Sequence, residues 1–133
     1  MDSEENQSLL FLKRTSMESP LKLKSYAFAL RIVRASKYLT DSKEFILSKQ
    51  LLRSGTAVGA LIREAEFAQS PADFISKMSI ALKEANETSY WLSILKDTQY
   101  IEEPIYLSMT KDCSELIKML VSSVKTAKNN KDK

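Results

Sequence analysis

Few residues of this chain have the types and spacing that chemistry requires. Histidine is absent from all 133 residues, which removes the usual general base and the commonest metal ligand. The remaining candidates for a metal or hydrolytic site are two carboxylate pairs, Glu64 with Glu66 and Glu84 with Glu87. Metal sites in helical bundles normally use Glu-x-x-His pairs, which this sequence lacks. We therefore expect no enzyme activity, no catalytic residue, no metal ion and no cofactor.

The single cysteine, Cys113, lies on an apolar stripe and is expected to be a small buried side chain rather than a nucleophile. One cysteine cannot form an internal disulfide, and the N-terminus is acidic where a signal peptide would be basic. No apolar run approaches the roughly 20 residues that cross a bilayer. These features predict a cytoplasmic protein with no membrane contact.

Basic residues are the main candidates for binding. The net charge is only +3, but five basic residues face one acid between Pro20 and Asp41, and five face one acid from Lys118 onward. Such runs are either solvated helix faces or surfaces that follow phosphate groups. The second interpretation gives a candidate nucleic-acid-binding set, in order of preference: Lys22, Lys24, Arg31, Arg34 and Lys37, then Arg53 and Arg63.

Two further motifs are candidates for contacts between proteins. Gly55 and Gly59 are four residues apart in a predicted helix, where each glycine costs about 1 kcal/mol relative to alanine. Close approach of another helix would offset this, either inside the domain or across a subunit interface. Tyr90 and Trp91 are adjacent, so they cannot share one helix face, and one of them is predicted to expose its ring.

An exposed aromatic cluster that includes Tyr100 and Phe67 is one interpretation of the Tyr90–Trp91 pair, and base stacking is the alternative.

The elements that position these residues are predicted from capping signals. Four starts follow one another: Ser19 before Pro20, Asp41 with Glu44, Ser70-Pro71-Ala72-Asp73, and Glu102-Glu103-Pro104. They predict helices at about 20–41, 42–68, 70–98 and 103–128. Because short loops force successive helices antiparallel, the fold expected is an all-α, up-down-up-down four-helix bundle.

Apolar stripes predict which residues face the core of this bundle. The third helix has the most regular one. The predicted inward residues, helix by helix, are Leu23, Ala27, Leu30 and Val33 with Tyr26 at the flank; Leu51, Gly55, Val58, Ile62 and Ala65; Phe74, Met78, Ala81, Ala85, Thr88, Leu92 and Leu95; and Tyr106, Met109, Cys113, Leu116, Leu120 and Val124.

Segments outside the bundle are predicted at both ends. Residues 1–19 form an N-terminal arm whose apolar patch, Leu9 to Leu12, docks on the body or a neighbouring subunit, or is disordered. Residues 129–133 form a flexible basic tail after the bundle at 20–128.

The sequence resembles a known bacterial family. The residues that carry the resemblance lie within about 20–125: QLLRS at 50–54, IREA at 62–65, Ser70 with Asp73 and Phe74, and ALKEA at 81–85 followed by Glu87-Thr88 and Tyr90-Trp91. In order and spacing they are similar to the four-helix-bundle proteins encoded in intervening sequences of large-subunit ribosomal RNA genes, some of which carry a ribosomal-protein label.

The resemblance implies an antiparallel bundle assembled as a homopentameric ring. It also implies similarity to an accessory protein of diversity-generating retroelements, a basic pentamer that binds nucleic acid and a reverse transcriptase. The expected function is a non-enzymatic homo-oligomer that associates with RNA or DNA by repeating a few basic residues. The alternative is a protein-interaction adaptor that docks a partner chain through the arm and the Tyr90–Trp91 region.

Overall fold

A computed structural model describes residues 19–131, and within that range the chain forms four α-helices and no strand. They are α1 (Pro20–Asp41), α2 (Ile46–Glu66), α3 (Pro71–Asp97) and α4 (Glu103–Lys131). Successive helices pack along their lengths, whereas α1 and α4 touch over a smaller area. The predicted four-helix bundle is confirmed. None of these helices is long and apolar enough to cross a membrane, and the predicted arm before Ser19 lies outside the described residues.

The start of α3 follows directly from its capping residues. The Ser70 hydroxyl accepts a hydrogen bond from the backbone N–H of Asp73 at 3.0 Å, and the Asp73 carboxylate accepts one from the N–H of Gln69 at 3.2 Å. These two hydrogen bonds satisfy two backbone donors, and Pro71 in the first turn has none to satisfy. The predicted starts at Pro20 and Glu103 also hold.

The predicted start of the second helix at Asp41 is wrong, because Asp41 is the last residue of α1. Lys43 takes a positive φ of 67°, and the N–H groups of Lys43 and Glu44 donate back to the last turn of α1. This left-handed closure ends the helix and separates it from the next one. The second helix therefore begins only at Ile46, where the Glu44 carboxylate accepts from the N–H of Leu47.

The predicted inward face of α1 is also wrong. Leu23 is 67% and Leu30 is 39% exposed, Ala27 is exposed and Val33 is only half-buried. The buried face lies about half a turn away and consists of Leu21, Ser25, Phe28, Ile32, Ser36 and Leu39. Two serines interrupt the apolar character of this face, so over the first half of α1 the exposed stripe of Leu23, Ala27 and Leu30 is the more apolar of the two in sequence.

The other three inward faces are confirmed. The predicted residues of α2, α3 and α4 are buried, except that Phe74 and Tyr106, at the ends of their stripes, are half-buried. The buried hydroxyls pair across helices, since the Thr88 hydroxyl donates to Ser54 Oγ at 2.9 Å and another pair joins Ser36 to Ser48 at 2.8 Å. Burial of these polar groups is tolerated because they find such partners, and the buried Ser25 hydroxyl donates instead to the carbonyl oxygen of Lys22 in its own helix at 3.0 Å.

Candidate functional site

Three of the basic residues predicted to bind nucleic acid hold α1 against its neighbours. Lys22 Nζ lies 2.9 Å from a Glu66 carboxylate oxygen on α2, and Lys24 Nζ lies 3.2 Å from Glu115 on α4. Arg31 forms an ion pair with Asp112 of α4, and its Nη2 donates to the hydroxyl of Ser108 at 3.0 Å. Carboxylates of the same chain therefore neutralise these three charges.

Arg34 and Lys37 differ from those three. Both are exposed, and within residues 19–131 no carboxylate lies within 4.0 Å of either charge. They lie on the side of α1 opposite its buried stripe, in line with Leu23 and Leu30. We call Leu23, Ala27, Leu30, Arg34 and Lys37 the outer face of α1. Of the five predicted cations on α1, the two that stand clear of local acids are thus on this face.

Arg53 is held between two glutamates of α3. Its Nη1 lies 3.0 Å from Glu84 Oε2, and its Nη2 contacts Glu87. The Trp91 indole N–H donates to the same Glu87 carboxylate at 2.9 Å. Desolvation lowers the Arg53 pKa, but attraction to Glu84 and hydrogen bonds with Glu87 and Glu84 outweigh it and raise the pKa overall. With two acids around one base, this cluster repels rather than attracts a polyanion.

The seventh predicted residue, Arg63, lies with its guanidinium carbon 5.8 Å from the centre of the Tyr26 ring, a cation–π contact between α2 and α1.

Packing within the chain accounts for glycine at position 55 but does not require it at position 59. A Cβ at Gly55 would lie 2.6–2.8 Å from atoms of the Ile32 side chain, so α1 approaches α2 too closely there for any side chain. A Cβ at Gly59 would be at ordinary contact distance, 3.5 Å from the backbone oxygen of Ser25. An additional role for Gly55 and Gly59 at a subunit interface stays a prediction.

The predicted aromatic cluster is not assembled as proposed. Tyr90 and Trp91 make an edge-to-face contact with centroids 5.2 Å apart, Tyr90 exposed and Trp91 half-buried against the core. Phe67 and Tyr100 are exposed but flank opposite ends of α3, about 40 Å apart at 1.5 Å per residue. Of this predicted aromatic cluster, the Tyr90–Trp91 pair alone remains as a candidate contact surface.

The side chains considered as catalytic candidates in the sequence are held by contacts within the bundle. Cys113 is buried, its Sγ lies 3.2 Å from the carbonyl oxygen of Ala85, and burial raises its thiol pKa to about 11. A thiol in that state is not a nucleophile at neutral pH. Glu84 and Glu87 are engaged by Arg53, and no group of acids and cysteine within 19–131 could hold a metal ion.

A groove that sequence reasoning missed lies where α1 and α4 diverge. Its volume is about 440 Å³, and its lining combines Ile101, Ile105 and Met109 with Arg31 and Arg34. This groove can be predicted only if it is known which side of α1 faces the core. The sequence is misleading on that point, because the buried stripe of α1 contains serines.

The fold and these contacts define a small helical bundle whose buried centre is apolar and whose charges lie at its surface. The chain belongs to a family described as 23S rRNA-intervening sequence proteins, whose model matches residues 19–122. This confirms the resemblance found in the sequence.

A solved structure is similar as well: a protein of unknown function from the S23 ribosomal protein family of Bacteroides thetaiotaomicron, determined at 1.70 Å resolution. It is 57% identical, covers 79% of this chain and 98% of its own, and superposes with a TM-score of 0.78. No curated protein matches this sequence.

Proposed function

We propose that this chain is a non-enzymatic, self-associating bundle that binds RNA or DNA through cations repeated by its subunits. The observation that carries the proposal is the outer face of α1, where an exposed apolar stripe continues into two unneutralised cations. The family description, which refers to an intervening sequence of ribosomal RNA, is consistent with this function.

Self-association is supported by the apolar half of that face. Leu23 and Leu30 lie seven residues apart on one side of the helix and are 67% and 39% exposed, with Ala27 between them. A contiguous exposed apolar stripe is typical of an interaction surface. A closed ring, with five copies as the family resemblance implies, would cover the stripe in every subunit.

Nucleic-acid binding is supported by Arg34 and Lys37 at the other end of the face. Two cations per subunit give little affinity alone, but a ring repeats them, and weak phosphate contacts then add through multivalency. The ion pairs of Lys22, Lys24, Arg31 and Arg53 leave these four a supporting role. Arg63 stacks on the Tyr26 ring, away from the outer face of α1, so the proposed set narrows to Arg34 and Lys37.

Light scattering followed by a binding titration tests both halves. We expect a mass several times the 15.1 kDa of one chain, and binding of RNA or duplex DNA that weakens as salt rises. The Leu23→Ser/Leu30→Ser variant should lower the mass while keeping the helical content, and Arg34→Gln/Lys37→Gln should weaken binding without changing the mass. A monomer that binds neither nucleic acid at 50 mM salt would refute the proposal.

The second candidate function is a protein-interaction adaptor. It is favoured by Tyr90, 60% exposed beside a Trp91 fixed by its bond to Glu87, because a rigid exposed aromatic pair suits protein contacts. The Arg34→Gln/Lys37→Gln variant separates the two functions, since partner docking would survive it. If a Tyr90→Ser variant keeps full nucleic-acid affinity, Tyr90 does not contribute to nucleic-acid binding. An adaptor role of the Tyr90–Trp91 pair would then be independent of that binding.

A further inference from the structure

Three lysines follow one another along α4 at intervals of seven residues. Lys111, Lys118 and Lys125 are all exposed. Seven residues are almost two turns, so the three lie in a row about 10.5 Å apart, and the row is about 21 Å long. We call these three residues the lysine line.

The lysine line points away from the core of the bundle. The buried residues of α4, from Met109 to Val124, lie about half a turn from it around the helix. The ammonium groups therefore extend into solvent, where no neighbouring helix comes between them and a large ligand.

No local acid neutralises this line. Within residues 19–131, no carboxylate lies within 4.0 Å of any of the three ammonium groups. The acids of α4 closest in sequence, Asp112 and Glu115, are turned toward α1, where they pair with Arg31 and Lys24. The ion pairs that neutralise Arg31 and Lys24 thus also hold the two acids of α4 on the side of that helix that faces α1, away from the lysine line.

The surface between the lysines fits a phosphate backbone. Ser114 and Ser122 are exposed there, and their hydroxyl groups can donate hydrogen bonds to phosphate oxygens. Lysines on flexible stems act as point charges and carry no base specificity. The exposed aromatic rings of the described chain lie on other faces, so this surface offers no platform for stacking single-stranded bases.

We propose that the lysine line is a sequence-independent binding surface for the backbone of double-stranded nucleic acid. The proposal builds on the nucleic-acid association proposed above and moves its main contact from α1 to α4. A duplex carries one charge per about 1.7 Å of its axis, so 21 Å of surface faces many phosphates at once. An anionic membrane is less suitable, because among residues 19–131 only Leu107 and Val121 are exposed large apolar side chains on this side of α4, too few for an inserted face.

The test compares two full-length triple variants with equal loss of charge. The first is Lys111→Gln/Lys118→Gln/Lys125→Gln. The matched control, Lys43→Gln/Lys49→Gln/Lys83→Gln, removes three exposed lysines elsewhere. Glutamine suits position 43, because Gln99 already takes the same positive φ of 67°. Circular dichroism and light scattering verify that both keep the helical content and mass of the unmodified protein.

Fluorescence anisotropy with 20-base-pair RNA and DNA duplexes, from 50 to 200 mM salt, gives the readout. We expect the lysine-line variant to bind at least tenfold more weakly at 50 mM salt, with the slope of log K against log salt smaller by about 2–3. The control should stay within about twofold of the unmodified protein. This pattern, equal for RNA and DNA, would support the proposal.

Three results would overturn it. Equal weakening in both triple variants would mean that net charge alone matters. A loss confined to Arg34→Gln/Lys37→Gln would retain the proposed function and refute the lysine line. An unmodified protein that ignores both duplexes but binds phosphatidylserine vesicles would refute both proposals and indicate a membrane surface.

Discussion

α1 and α4 are both rich in basic residues, yet the two helices use them differently. On α1, Lys22, Lys24 and Arg31 lie at the sides of the helix, within reach of acids on α2 and α4. On α4, the three residues of the lysine line lie opposite the core and are exposed. The angular position of a charged residue on its helix therefore decides whether it joins two helices or meets another molecule. A count of charges along the sequence does not reveal this angular position.

The largest expected effect tests which side of α1 faces inward. Phe28 is 2% exposed, whereas Leu23 is 67% exposed. We expect Phe28→Asp to abolish cooperative unfolding, because an unpaired buried charge and a lost aromatic side chain together cost more than about 4 kcal/mol. Leu23→Asp should stay folded. Circular dichroism during urea titration measures both.

If Leu23→Asp unfolded the domain and Phe28→Asp did not, the assignment of the two faces of α1 would be reversed. A Leu23→Asp protein that is folded but smaller by light scattering would in addition support the outer face as a subunit contact.

The next effect concerns the inner side of α4, opposite the lysine line, where Cys113 is buried. Burial raises the pKa of Cys113 from 9.0 to about 11, so the folded state holds the thiol proton more tightly than the unfolded state. Stability is then unaffected below pH 9, falls as pH rises from about 9 to 11, and levels off above that. The loss from this group approaches about 2–3 kcal/mol by linkage.

The measurement is the free energy of unfolding between pH 8 and 11 for the unmodified protein and for Cys113→Ala. The two proteins differ only at residue 113, so the difference between the two curves reports Cys113. Parallel curves would contradict the pKa shift.

A third prediction concerns the contact that fixes α1 in place. Gly55→Ala pushes a methyl group into the branched carbons of Ile32, and we expect a loss of about 1–3 kcal/mol from overpacking. Gly59→Ala meets only ordinary contacts and should gain up to about 1 kcal/mol from helix propensity. In urea denaturation, the changes in the free energy of unfolding of the two variants should have opposite signs if α1 approaches most closely at Gly55. Changes of the same sign would contradict that geometry.

Much of the fold could be predicted from local chemistry. The α3 seam, from Met78 to Leu95, carries no charge, and the Ser70–Asp73 cap marks its start. The face of α1 could not be predicted in the same way. Ser25 and Ser36 are buried because α2 packs against one at Gly59 and Ser48 bonds to the other, and both facts depend on a neighbouring helix.

The turn after α1 was missed for a related reason. Its left-handed residue is Lys43, where the sequence shows neither glycine nor asparagine to signal a helix end. The candidate site was least predictable, since Arg31 and Asp112 are 81 residues apart and meet only once the helices are packed. Residue types show which side chains are cations, but which of these are neutralised is a property of the assembled bundle.

The smallest effect on stability comes from making α1 resemble α4. Asp112→Asn/Glu115→Gln releases Arg31 and Lys24 from their partners, and because exposed ion pairs contribute little, we expect a loss of only about 0–1 kcal/mol for each. The released cations would then be available to phosphates. Affinity for a 20-base-pair duplex should rise and the salt slope should steepen by about 1–2.

A control with the same change in charge distinguishes release of these cations from a general rise in net charge. Asp41→Asn/Glu102→Gln neutralises two exposed acids for which no ion pair is found within residues 19–131. If both double variants gain the same affinity, only the overall charge matters and the distinction between paired and unpaired cations has no consequence for binding. If only Asp112→Asn/Glu115→Gln gains, the acids of α4 limit what α1 can bind, and the contrast between the two helices follows from where those two carboxylates point.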